Sequence, residues 1–136
     1  MRPLLVVLAA FLVVVPGAAS RAAVGPQELT IAASDGAQLA CSLVEPDGSP
    51  PASGWPGVLL FHGLGGKHQD MEPIATGSLA PAGYASLMCD ARGHGTSGTR
   101  GDIGYVGPLE DDLSDFVALL RKSAPSEPLT LVGHSS

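Results

Sequence analysis

The 136-residue chain is long enough for one compact domain, and its 45% hydrophobic content is that of a globular protein. A net charge of −6, with seven scattered Lys and Arg residues, excludes the clustered cationic footprint that nucleic-acid binding requires. The acidic balance favours solubility and says little about substrate.

The first residues read as a leader. Arg2 supplies a short positive region, Leu4–Val15 is an unbroken apolar run, Pro16 and Gly17 interrupt it, and Ala18, Ala19 and Ser20 follow. This is the build of a secretory signal peptide over residues 1–20, with cleavage expected between Ala19 and Ala23. The run is shorter than the roughly 20 residues that span a bilayer, so an uncleaved anchor is the alternative and the only expected membrane contact. The mature chain, residues 24–136, is then expected outside the cytoplasm, secreted or periplasmic. Export makes a disulfide between Cys41 and Cys89 chemically possible, but both lie in predicted strands, where a buried thiol is the favoured reading.

Leu29–Ala33 and Gln38–Glu45 read as two strands joined by Ser34-Asp35-Gly36, because Gly accepts positive φ in a tight turn. The Pro/Ser/Gly-rich stretch Pro46–Pro56 reads as a surface loop. Gly57–Phe61 is a continuous apolar run, as in a strand buried on both faces, and it ends in the flexible loop His62–Gly66. A weak helix is expected from about Met71 to Ala80, then a strand at Tyr84–Cys89 and a Gly-rich loop at Ala91–Gly98. Pro108–Lys122 is the clearest helix, with Leu109, Leu113, Phe116, Val117 and Leu120 on one apolar stripe. Its first turn is acidic and its last is basic, which suits the helix dipole. Leu129–Val132 reads as a short buried strand running into Gly133-His134-Ser135-Ser136. Strands alternating with helices imply a mostly parallel sheet, with ligands bound beyond its carboxyl ends.

Gly133-His134-Ser135-Ser136 after a buried strand matches the first four positions of the G-x-S-x-G nucleophile elbow. There a strained strand-to-helix turn projects the serine hydroxyl above the sheet, and Gly133 is small enough for the crossing helix. Ser135 is therefore the candidate nucleophile. Acyl transfer also needs donors aimed at the developing oxyanion. The backbone N–H groups of Ser136 and Leu64 are the candidates, with Gly63 permitting the turn. His62 reads as a brace of that loop, and His134 as a supporting elbow residue. Other readings of the loop fail. A phosphate-binding P-loop and a dinucleotide fingerprint both require residue types that Phe61 and His68 replace, and His62, His68 and Asp70 match no known metal-ligand spacing. No metal or cofactor is expected. Asp90–Gly98 reads as scaffold, with Arg92 and His94 able to brace neighbouring loops.

The Asp35-Gly36 hairpin, the His62-Gly63 loop, Gly83-Tyr84, the Arg92-Gly93-His94-Gly95 stretch and the Gly133-His134-Ser135 elbow occur in the order seen in α/β hydrolases. With Leu109-Glu110-Asp111-Asp112-Leu113 ahead of the elbow strand, the chain most resembles the serine-aminopeptidase-like branch, which includes monoacylglycerol lipases and lysophospholipases. Xaa-Pro dipeptidyl-peptidase-like domains are similar too. The resemblance implies the α/β-hydrolase fold: a mostly parallel sheet with an N-terminal antiparallel hairpin, here its N-terminal half, truncated at the elbow. It implies a Ser–Asp/Glu–His triad, no cofactor, and hydrolysis of a small ester or peptide substrate through an acyl-enzyme. It also sets the second and fourth strands side by side, which can bring Cys41 and Cys89 close. In that family the acid and histidine follow the serine, so residues 1–136 alone are expected to be inactive and prone to aggregate through an open sheet edge. The competing expectation is a non-catalytic binding protein of the same fold, or a truncated product without function.

Overall fold

A computed structural model describes residues 25–98, 107–126 and 128–134. The expected leader, Ser135 and Ser136 lie outside the described residues. Five strands form one sheet: β1 (Gln27–Ala32), β2 (Gln38–Val44), β3 (Gly57–Phe61), β4 (Ala85–Cys89) and β5 (Leu129–Gly133). Their spatial order is β1-β2-β4-β3-β5. β1 and β2 form an antiparallel hairpin, β2 meets β4 antiparallel, and β4, β3 and β5 run parallel. This is the α/β-hydrolase sheet: an antiparallel hairpin leading into a doubly covered parallel core.

The hairpin closes as its sequence dictates. Gly36 sits at φ 89°, where a side chain would be strained, and the Asp35 carboxylate accepts the Ala37 N–H at 3.1 Å. Between β3 and β4 the chain forms one helical segment, α1. It opens as a 3-10 turn (His68–Met71), makes one α turn (Glu72–Ile74) and widens into a π turn (Ala75–Leu79). It begins three residues earlier than the hydropathy pattern predicts, because polar contacts of His68 rather than apolar periodicity set its start. α2 (Pro108–Leu120) starts on Gly107 at φ 104°.

Each face of the sheet carries its own core. On the α2 face Leu39, Cys41, Leu59, Ala85, Leu87 and Cys89 pack under Phe116 and Leu120. On the α1 face Val44, Val58, Leu60 and Met88 pack under Met71 and Ala75. β3 and β4 feed both cores, which is why their sequences are continuously apolar.

Three expectations are corrected. Cys41 and Cys89 are not free thiols: they form a disulfide. The register pairs them directly across β2 and β4, with the neighbouring Asp90 N–H donating to the Ala40 carbonyl. That leaves the cysteines on a site without ladder hydrogen bonds, where opposing side chains approach most closely. β5 is not buried. It is the outer strand of the described sheet, and Leu131 and Val132 are exposed. Finally, the α2 stripe holds at Phe116 and Leu120, with Leu113 and Val117 packed against the same core, and fails only at Leu109. Pro108, Asp112, Phe116 and Leu120 are buried, while Leu109 is exposed. An ion pair, described below, lets the charged Asp112 sit on that buried face.

Candidate active site

β3 and β5 are neighbours in parallel register, with Phe61 opposite Gly133. The His134 N–H donates to the Phe61 carbonyl at 3.1 Å, extending the pairing one residue past the strand ends. The loop after β3 and the elbow segment after β5 therefore start side by side at the carboxyl edge. A cleft of about 390 Å³ opens between them, lined by His62, Gly63, Leu64, Met71, Ile74 and His134, among others.

The β3 loop is a tight turn. The Gly66 N–H donates to the Gly63 carbonyl at 3.0 Å, and Gly65 at φ 77° holds the left-handed third position of a type II turn. Leu64 occupies the second position, 83% exposed. Its N–H makes no hydrogen bond among the described residues, so it is free to meet a ligand atom. His62 contributes no such group. The Ala91 N–H donates to its Nε2 at 3.0 Å, and its Nδ1 lies 2.8 Å from the Gly63 carbonyl. With Nε2 accepting, the ring carries its proton on Nδ1 and donates it to Gly63. Both nitrogens are used to tie the β3 loop to the loop after β4. His94 lies beside it, the ring centroids 5.3 Å apart, with Nδ1 3.2 Å from the Arg92 carbonyl.

The loop after β4 is built around Asp90, which is buried. One carboxylate oxygen accepts the His68 N–H at 2.6 Å and the His68 ring Nδ1 at 2.8 Å, and the other accepts the Thr96 N–H at 2.8 Å. Burial would push this carboxyl up, but the Thr96 and His68 N–H groups and the His68 ring outweigh it and hold Asp90 below the ordinary carboxylate range. Gly95 is required here, because a Cβ would collide with the Asp90 carboxylate. Arg92 continues the same frame. It pairs with Asp112 of α2 (Nη2–Oδ1 2.6 Å, Nε–Oδ2 2.9 Å) and with Asp35 of the hairpin (Nη1–Oδ2 2.7 Å). The two carboxylates hold the guanidinium firmly charged.

Of the residues singled out in the sequence, the fold brings His62, Gly63, Leu64, Gly133 and His134 to one edge. Ser135 and Ser136 follow directly in sequence and lie outside the described residues. The His62, His68 and Asp70 side chains do not converge on a common point, since His62 is spent on backbone and His68 turns to Asp90. The hub role of Asp90 and the pairing partners of Arg92 were missed in the sequence. The Asp-Ala-Arg-Gly-His-Gly string hinted at them, because a small residue beside a buried acid is what such a hub needs.

The fold and the paired loops define an α/β hydrolase. More narrowly, a family model described as Hydrolase_4, serine aminopeptidase S33, matches residues 56–136, and the chain belongs to that family. Similar solved structures include a thioesterase domain from the curacin biosynthetic pathway (24% identity, TM-score 0.62, 82% of this chain and 37% of that one). A thermostable carboxyl esterase from Bacillus coagulans is 22% identical, with a TM-score of 0.64, over 81% of this chain and 36% of that one. Est1E from Butyrivibrio proteoclasticus, solved with ferulic acid bound, is 23% identical, with a TM-score of 0.65, over 79% and 42%. The chain thus spans well under half the length of these structures. No curated protein matches it.

Proposed function

We propose that this chain carries the nucleophile half of an exported serine hydrolase that cleaves carboxylic esters, or secondarily peptides, through an acyl-enzyme on Ser135. The observation that carries this reading is the register of β3 and β5, which sets the unpaired Leu64 N–H beside the segment leading into Ser135. The Ser135 Oγ would attack the substrate carbonyl carbon. The Leu64 and Ser136 N–H groups would hold the resulting oxyanion, and expulsion of the alcohol or amine would leave the acyl-enzyme for water to hydrolyse. His62 and His68 have both ring nitrogens engaged within the scaffold, and the family order puts the general base after the nucleophile. The 136 residues alone are therefore expected to be inactive.

The leader-like N-terminus and the Cys41–Cys89 disulfide both support an extracytoplasmic location. A fluorophosphonate probe on full-length protein tests the chemistry. Labelling of the wild type but not of Ser135→Ala is expected. A folded wild type that takes up no label would favour a binding protein of the same fold.

A further inference from the structure

On the α1 side of the sheet, Glu28 of β1 and His68 and Glu72 of α1 converge. One ligand-capable atom from each lies within 4.8 Å of the others. His68 is 1% exposed, and its Nε2 faces Glu28 Oε2 at 3.1 Å. Its other nitrogen, Nδ1, is held by the buried Asp90 at 2.8 Å. A carboxylate fixing one imidazole nitrogen while the other points at further oxygen ligands is the arrangement that orients a metal-binding histidine. Charge points the same way. Glu28, Glu72 and Asp90 surround one imidazole, and among the described residues no Lys or Arg pairs with any of them. The Ser42 Oγ lies 2.8 Å from Glu28 and 3.1 Å from Glu72, yet its single proton serves only one of them at a time.

We propose that Glu28, His68 and Glu72 form a three-ligand site for a zinc-class divalent ion, with water completing its shell. Bonds of about 2.1 Å in a tetrahedral shell put ligand atoms about 3.4 Å apart. The 3.1 Å pair is already close to that, and only Glu72 must swing inward. The ion binds the Nε2 lone pair, so binding weakens as acid competes for that nitrogen. Two carboxylates and an imidazole suit zinc better than magnesium or calcium, which prefer all-oxygen shells. Glu28, with a 60% exposed side chain, provides the entry path. Bound metal would pin the first turn of α1, and with it the end of the Leu64 loop, to β1.

The test is calorimetric titration of zinc chloride into chelator-stripped full-length protein lacking an affinity tag. One saturable equivalent and a rise in melting temperature are expected, with no comparable response to magnesium chloride. Glu28→Gln and Glu72→Gln, each folded by its metal-free melt, should weaken binding at least tenfold. His68 ring resonances in wild-type protein should shift on saturation, a readout that does not depend on any variant folding. No saturable binding, equal affinity in both folded variants, or unmoved His68 resonances at saturating zinc would each overturn the site.

Discussion

Arg92 and Asp112 are twenty residues apart and bind through two parallel contacts, Nη2–Oδ1 at 2.6 Å and Nε–Oδ2 at 2.9 Å, with both side chains almost wholly buried. Asp35 holds the same guanidinium from the opposite side of the loop. One side chain thus joins the hairpin, the loop after β4 and α2. Removing it leaves Asp112 as a buried charge without its partner, which costs about 3–5 kcal/mol. Arg92→Ala should lose that much in denaturant unfolding of the full-length protein, and Arg92→Lys should recover only part, because an ammonium lacks the planar fork. A loss under about 1 kcal/mol would show that the pair is not formed.

Acid should weaken the same junction. Arg92 comes first, then the Ala37 N–H, among the causes that hold Asp35 below its usual value of 3.8. A carboxyl depressed in the folded state stabilises the fold above its unfolded value and loses that contribution as pH falls through its folded value. Asp35→Asn should therefore lower the melting temperature at neutral pH, with the difference shrinking towards the wild type as pH falls below the ordinary carboxylate range. A difference independent of pH would contradict the pairing.

Gly95 has no room for a side chain. A Cβ there meets the Asp90 carboxylate, and the backbone sits at φ 49°. Gly95→Ala should cost about 1–3 kcal/mol by combining left-handed strain with displacement of a buried acid. Gly36→Ala, where nothing lies within 4 Å, should cost only the backbone strain and serves as the control.

The Cys41–Cys89 disulfide closes a loop of 48 residues. The chain-entropy account gives about 4 kcal/mol for a loop of that size. The Cys41→Ser/Cys89→Ser double variant should lose most of this, and alkylation of the protein purified without reductant should require prior reduction. Thiols that alkylate freely in the unreduced protein would disprove the bond.

Leu64→Pro deletes the proposed oxyanion donor at a position that is 83% exposed and second in its turn, where proline fits. In the full-length protein it should lower kcat by about 10²–10³ with little change in melting temperature. Unchanged turnover by the folded variant would reassign the donor.

The succession of strands and helices along the chain and the hairpin turn were legible because local rules write them into neighbouring residues. Asp35-Gly36 specifies a turn and Val58–Phe61 an interior strand. What no local rule encodes is which distant residues meet. Hydropathy placed Leu109 on the buried face of α2, but the fold buries Asp112 there instead, because a paired charge can occupy a site that periodicity reserves for an apolar residue. Two cysteines in two strands became a disulfide only when the β2–β4 register set them opposite each other. The Glu28–His68–Asp90 cluster joins three elements spread over more than sixty residues, and nothing in the spacing of those residues announces it. Local structure follows from short-range sterics and periodicity, whereas burial of charge and pairing of thiols are settled by the long-range contacts of the folded sheet.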